Sequence, residues 1–300
     1  MRFVSFYRAG GRVAPGFLKH DAATGEDVIV DVTLAGNGAW AAALPSSLLA
    51  WVELGLEGLA PRLAATAFPA AALLPFARTR LAAPIPRPGK IVGAAFNFHD
   101  ALRERGMPPP ETPVIFIKSG RTVIGPGDDV QLAPDVGNVT YEAELGVVIG
   151  KTALRVNAAE AMAHVAGYLI VNDVSASDMV KADKAFVRGK NQPTFCPCGP
   201  WMATPDEIAD GSALGVRLML DGVTRQSGST ADLVHGIAEL IAYASTQMPL
   251  EPGDIIATGT PAGVAAMHTP PAWLTPGSNM TTEVDGLGRL HNPVVSGSAP

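Results

Sequence analysis

The chain reads as an α+β protein rich in β-structure, with a small N-terminal α+β domain over residues 1–85 and a larger, β-rich domain over residues 86–300. Three observations lead there. Short apolar runs bounded by Gly and Pro recur through the second part with few helical patterns between them, which argues for an antiparallel or mixed β core rather than a doubly wound sheet. Residues 81–90 (LAAPIPRPGK) carry three prolines and read as an extended linker. Ahead of that linker, two strand-like runs and one amphipathic helix suffice for a small α+β unit.

In chain order, residues 2–8 and 27–32 (DVIVDV) predict short strands around Gly- and Asp-rich turns, and residues 46–56 predict an amphipathic helix. After the linker, strands are expected over residues 91–95, 114–118, 141–149, 165–173, 215–220 and 254–258. Asn157-Ala158-Ala159-Glu160 has capping-box-like spacing and opens a helix to residue 164. Residues 230–243 predict another, with Leu233, Ile237, Leu240 and Ile241 along one side.

Composition narrows the function. A net charge of −6 with 47% hydrophobic residues leaves no electrostatic footprint for nucleic acid, so small-molecule work is expected. The start MRFVSFYRAG lacks a basic region followed by a long apolar one, and no stretch reaches the length of a membrane span, so the expectation is a cytoplasmic protein with no membrane partner. Cys196 and Cys198, the two cysteines, flank Pro197 too closely for favourable disulfide geometry and read as reduced thiols. No second cysteine pair supports a zinc site.

The most informative pattern is Glu142-Ala143-Glu144 at the start of residues 141–149 (YEAELGVVI), with Asp173 at the end of the apolar run 165–171. Side chains two apart on a strand share a face, so Glu142 and Glu144 project together while Ala143, Leu145, Val147 and Ile149 face the core. Residues 145–150 and 167–171 are too apolar for a wetted edge. Burying two repelling carboxylates beside a third acid costs several kcal/mol unless one is protonated or something positive sits between them, and a divalent cation removes that cost. Three carboxylates without His or Cys form a hard donor set suited to Mg²⁺, Mn²⁺ or Ca²⁺. Such a set leaves coordination positions for water and a chelating substrate.

These residues resemble the fumarylacetoacetate hydrolase family from about residue 93 to residue 295. The motifs that carry the resemblance are YEAELGVVIGK (141–151), VAGYLIVNDVSASD (165–178), GKNQPTFCPCGPW (189–201), DIIATGTPAGV (254–264) and GLGRLHNPV (286–294). The resemblance implies a mixed β-roll or sandwich-like core around Mg²⁺ or Mn²⁺ (Ca²⁺ in crystals), an N-terminal appendage and a homodimer. It assigns Glu142, Glu144 and Asp173 as metal ligands and Lys190 as the active-site lysine, here followed by Asn191 and Gln192. It matches Thr260 to a threonine that holds a substrate carboxylate. Substrates of the family are 1,3-dicarbonyl or 2-oxo acids, on which the ion acts as a Lewis acid toward an enolate while nearby donors neutralise charge on oxygen. Lys118, after the run PVIFI, either reaches the cavity or serves the fold.

The chain departs from the family pattern where hydrolysis depends on it. Many members carry a lid segment Asn-Tyr-x-Asp-His-x-x-Glu whose His–Glu pair activates water. Here residues 97–104 read NFHDALRE, which keeps Glu104, places Ala101 at the histidine position and puts His99 two residues earlier. On a helix, positions 99 and 101 point roughly 200° apart. His99 is therefore either a surface histidine or an active residue reached only from a loop. An arginine and a glutamine common after the metal-binding aspartate are Ser177 and Val180 here, which makes the pocket less cationic and fits a substrate with fewer carboxylates or a bulkier apolar part. His164 and His235 sit among apolar neighbours and read as packing residues. Ser175 and Ser177 lack the Gly-x-Ser-x-Gly frame of a nucleophile.

The expected function is thus metal-dependent chemistry on an acylpyruvate-like or related 2-oxo acid, with carbon–carbon hydrolysis as the family default. An isomerase, tautomerase or decarboxylase using the same enolate, without activated water, is the alternative. A family member without turnover, serving as a binding subunit, is the third reading, against which the intact acids and Lys190 speak.

Overall fold

The computed structural model describes residues 1–21, 24–35 and 40–298. Among these, the largest sheet has twelve strands. Along its main path run Leu73–Pro75, Glu26–Asp31, Val13–Asp21, Arg2–Tyr7, Cys196–Ala203, Val165–Asn172, Ala143–Ile149, Ile255–Ala257, Lys90–Ala95 and Val114–Ser119. Neighbours pair antiparallel except Ile255–Ala257 with Lys90–Ala95, so the sheet is mixed. A five-stranded sheet runs Val223–Ser229, Gly215–Leu220, Asn279–Val284, Gly288–Ser296 and Val130–Leu132.

Strand periodicity sends alternate residues of the central strands into two cores. Leu145, Val147, Ile149, Tyr168 and Ile170 pack toward the smaller sheet with Val216, Leu218, Val284 and Leu290. Val148, Leu169 and Val171 face the other way and meet Phe3, Trp51, Leu59 and Leu63. Both faces of these strands are covered, which is why their sequence is a near-continuous apolar run. The first 85 residues are joined to the rest through the sheet itself: Phe3 pairs with Met202 and Arg2 with Ala203.

The local expectations meet the structure with three differences. The helix expected over residues 46–56 is Leu48–Leu54, capped by Ser47 Oγ accepting from the Ala50 N–H at 3.2 Å. It ends at Gly55, whose φ of 91° breaks the backbone before a second helix, Leu56–Ala64. The helix expected over residues 230–243 is a short 3-10 turn, Thr230–Asp232, followed by a helix over Ile237–Gln247. Leu233 leaves the helical stripe to form a β-bridge with Phe98, and His235 precedes the helix instead of lying on it. The helix expected from Asn157 is one turn, Ala158–Ala161, capped by Asn157 and continued as a 3-10 turn, Met162–His164. Cys196 and Cys198 are free and buried, with sulfurs 3.8 Å apart. No helix among the described residues is long and apolar enough to cross a membrane.

Candidate metal centre and active site

Two adjacent antiparallel strands bring the acids together. Ala143 pairs with Asn172, so Glu142, just before the strand Ala143–Ile149, lies beside Asp173, just after the strand Val165–Asn172. The Asp173 N–H donates to the Glu142 carbonyl at 2.8 Å, and the Glu142 N–H donates to Asn172 Oδ1 at 3.0 Å. Glu144 follows on the same face as Glu142, and its Oε2 accepts the Gly259 N–H at 2.9 Å. Gly259 has a φ of 98°, and a Cβ there would stand 3.0 Å from both the Ala94 carbonyl and Asn97 Cβ. Glycine is therefore what lets this N–H reach the carboxylate.

Glu142, Glu144 and Asp173 each offer a carboxylate oxygen within 4.8 Å of the other two. Two lysines attend them. Lys190 Nζ lies 2.7 Å from Glu142 Oε2 and 2.6 Å from Asp173 Oδ2, and 4.9 Å from the centre of the Phe116 ring. Lys118, fully buried, places Nζ 2.7 Å from Asp173 Oδ1 and donates to the Val174 carbonyl at 3.1 Å. Of the two readings open for Lys118, the structure places it in contact with Asp173 but not among the residues lining the cavity. Among the described residues Glu144 has no ion-pair partner.

The charges are unequally supported. Burial pushes the Glu144 carboxyl well above its ordinary range, and the neighbouring Asp173 and Glu142 charges push it further. Burial also raises Glu142, with Lys190 opposing and Asp173 adding to the rise. For Asp173 burial acts upward, but Lys118 and Lys190 outweigh it and hold the group below its usual value. Burial would lower Lys190, yet Asp173 and Glu142 overcome it and hold the ammonium protonated. The cluster thus holds two fully buried acids and the partly buried Glu142 against two ammonium groups, and Glu144, without an ion-pair partner among the described residues, is supported only by the Gly259 N–H and the charge of Lys190. That donor set fits a hard divalent cation, which would hold Glu142, Glu144 and Asp173 in common.

Beside the cluster lies a cavity of ≈ 220 Å³ lined on one side by Ala94, Phe96, Phe116 and Phe186, with Glu142, Lys190 and Thr260 at its polar end. The Thr260 hydroxyl donates to the Ala143 carbonyl at 2.9 Å and accepts from Gln226 Nε2 at 2.8 Å. Gln226 also accepts the Ala143 N–H at 3.0 Å and donates to the Pro261 carbonyl at 2.9 Å. This buried glutamine ties the Glu-x-Glu strand to the threonine loop. Sequence reasoning did not single it out, because the surrounding run VTRQSGS carries no pattern that separates a buried amide from an exposed one.

The lid segment folds as the helix His99–Arg105. Ala101 and Arg105, four apart, line the cavity, and His99 does not. The Glu104 carboxylate accepts the Gly263 N–H at 3.1 Å, and Glu104 is not among the cavity-lining residues. The helix is anchored by Asn97, whose side chain donates to the carbonyls of His235 and Thr258 and accepts the His235 N–H. His235 Nε2 lies 3.1 Å from the Pro110 carbonyl, and His164 Nδ1 lies 3.2 Å from the Lys151 carbonyl, both away from the acids. Arg105 also escaped notice in the sequence, where it reads as part of a solvated charged helix end.

A cluster of three carboxylates and two lysines, set in a β-rich mixed fold beside a small cavity, fits an enzyme site that could hold a divalent metal. The sequence matches the model of the fumarylacetoacetate (FAA) hydrolase C-terminal family over residues 90–295. It is 39% identical over 256 residues to "Oxaloacetate tautomerase FAHD2A, mitochondrial" of Bos taurus, covering 84% of this chain and 81% of that protein. Among solved structures it is similar to fumarylacetoacetate hydrolase from Exiguobacterium antarcticum, with a TM-score of 0.83 and 31% identity over 99% of each chain. It is also similar to 5-carboxymethyl-2-hydroxymuconate delta-isomerase from Mycobacterium smegmatis, with a TM-score of 0.77 and 32% identity, covering 99% of this chain and 100% of that one. The chain belongs to the fumarylacetoacetate hydrolase family of enzymes, which generally use a divalent metal.

Proposed function

We propose that the chain catalyses enol–keto tautomerisation of a small 2-oxo acid, with oxaloacetate as the first substrate to test. The observation that carries this reading is Ala101: the lid helix turns a methyl group toward the cavity where a water-activating base is needed for hydrolysis. Tautomerisation moves one proton between carbon and oxygen, breaks no carbon–carbon bond and consumes no water. The tautomerase and isomerase among the relatives support the same direction.

Mg²⁺ or Mn²⁺, if held by Glu142, Glu144 and Asp173, would supply Lewis-acid stabilisation of negative charge on a substrate oxygen. The remaining work falls to the chain. Lys190, kept protonated by Asp173 and Glu142, lines the cavity and presents an ammonium to an enolate. In the enol-to-keto direction its Nζ proton goes to the substrate carbon, and the enol hydroxyl proton replaces it, so protons balance. Such positioned proton transfer contributes about 10²–10⁴ in rate. Lys118 stays on Asp173 and keeps that carboxylate ionised while Lys190 works. Ser177 offers a hydroxyl along the cavity wall, where the Thr140 and Ser175 hydroxyls already donate to the Tyr141 and Asp173 carbonyls. A volume of ≈ 220 Å³ lies below the range of drug-sized sites and suits a substrate of few atoms.

Carbon–carbon hydrolysis of an acylpyruvate is the second reading, and the observation that favours it is Glu104, held at the lid by the Gly263 N–H. One experiment separates the two. With Mg²⁺ or Mn²⁺ present, the ultraviolet absorbance of enol-oxaloacetate is followed alongside pyruvate release from a 3-acylpyruvate. Accelerated ketonisation without pyruvate release supports tautomerisation. Pyruvate release at a comparable rate overturns it in favour of hydrolysis.

A further inference from the structure

We infer that Arg105, assisted by Lys181, is the specificity residue that makes the site select a 2-oxo acid with a second carboxylate. This deepens the tautomerase reading and rests on it for the reaction, though not for the ligand. The helix His99–Arg105 sorts its two arginines: Arg103 turns outward, 3.5 Å from Asp232, while Arg105 lines the cavity one turn beyond Ala101. Lys181 reaches the same cavity from the helix Ser177–Asp183. Neither Arg105 nor Lys181 has a carboxylate partner among the described residues, although every other cavity-lining cation, namely Lys190, is paired twice.

The charge balance points to the ligand. Three carboxylates, Lys118 and Lys190 sum to −1, and a divalent cation brings the centre to +1. Arg105 and Lys181 raise the cavity to +3. A monoanion whose carboxylate sits at the Lys190 end would leave both outer cations facing an apolar tail and the Phe96, Phe116 and Phe186 wall. A dianion gives the guanidinium a carboxylate to engage, by the paired hydrogen bonds for which Arg is suited. With Ser177 and Val180 neutral on the facing helix, discrimination between one and two carboxylates falls to Arg105, with Lys181 at the mouth.

The test uses ligands that cannot enolise. Binding of malate and of 2-hydroxybutyrate, its counterpart with a methyl in place of the second carboxylate, is measured by calorimetry on the full chain saturated with Mg²⁺. Wild type, Arg105→Gln, Arg105→Lys and Lys181→Gln are compared. Loss of one charge-assisted contact predicts that the malate preference falls roughly 10–100-fold in Arg105→Gln. It should fall less in Lys181→Gln and be partly kept in Arg105→Lys. Equal weakening of both ligands in Arg105→Gln, or no preference for malate in the wild type, overturns the inference. If malate is preferred through Arg105 but no enol-oxaloacetate is turned over, the specificity stands and the reaction assignment falls.

Discussion

Lys190 Nζ lies 2.6 Å from Asp173 Oδ2, inside a cluster where both groups are almost wholly buried. The contact makes each group's charge depend on the other: the carboxylate holds the ammonium protonated, and the ammonium, with Lys118, keeps the carboxylate ionised. The same lysine contacts Glu142 but not Glu144, so one acid of the three is left for an ion to satisfy.

Replacing that ammonium tests its two duties separately. Lys190→Met leaves Glu142 without a cation and Asp173 with Lys118 alone, and breaking a buried pair in this way costs about 3–5 kcal/mol. Denaturant unfolding of the metal-free variant should show a loss of that order. Mg²⁺ should recover part of it, while turnover stays down at least 100-fold, about the lower end of what a positioned proton donor contributes.

The pH dependence of stability has a definite sign. Glu144 and Glu142 have folded-state values above their ordinary 4.5, so their contribution is present below 4.5 and is lost as pH rises through the raised values. Asp173 is lowered from 3.8, so its contribution is present above 3.8 and is lost as pH falls through the lowered value. The metal-free protein should therefore lose stability on going from mildly acid to alkaline solution. Because the ion binds the deprotonated carboxylates, Mg²⁺ should raise the melting temperature more at pH about 8 than at pH about 5.5. Thermal melts with and without the ion check both.

Ala101→His restores an imidazole at a lid position that lines the cavity, one turn before Arg105. Acylpyruvate cleavage should rise by about 10² if Glu104 can orient the new ring. Ala101 is buried, so overpacking should cost about 1–3 kcal/mol in stability. Steady-state assays on both substrates measure the trade, and unchanged cleavage in a folded variant contradicts the assigned role of this position.

Gln226→Ala removes one acceptor and two donor contacts that tie Ala143, Thr260 and Pro261 together. Each buried group left unpaired costs about 1–3 kcal/mol. The variant should melt earlier and bind Mg²⁺ more weakly, since the Glu-x-Glu strand loses its brace. Calorimetry and a melting curve read both effects.

Much of the site is legible in the sequence because strand periodicity acts over two residues. Glu142-x-Glu144 in an apolar run is enough to place two carboxylates on one face, and the helical geometry that separates position 99 from position 101 anticipates that His99 does not share the cavity with Ala101. Long-range pairing is not written locally. Nothing in residues 2–7 announces that Phe3 will pair with Met202, nor does the stripe through residues 230–243 announce that Leu233 will bridge to Phe98 and delay the helix. Gln226 and Arg105 escape for a related reason: an amide in a polar run and an arginine in a charged helix end look solvated until the tertiary fold turns them inward.

The central claim is that Glu142, Glu144 and Asp173 share one divalent cation. Isothermal titration of the metal-free protein with Mn²⁺ or Mg²⁺ tests it most directly, with Glu144→Gln and Asp173→Asn as comparisons. The account predicts a single saturable site per chain that both substitutions weaken at least tenfold, in line with the loss of one charged ligand. Absence of uptake by the wild type, or affinity unchanged in both variants, contradicts it.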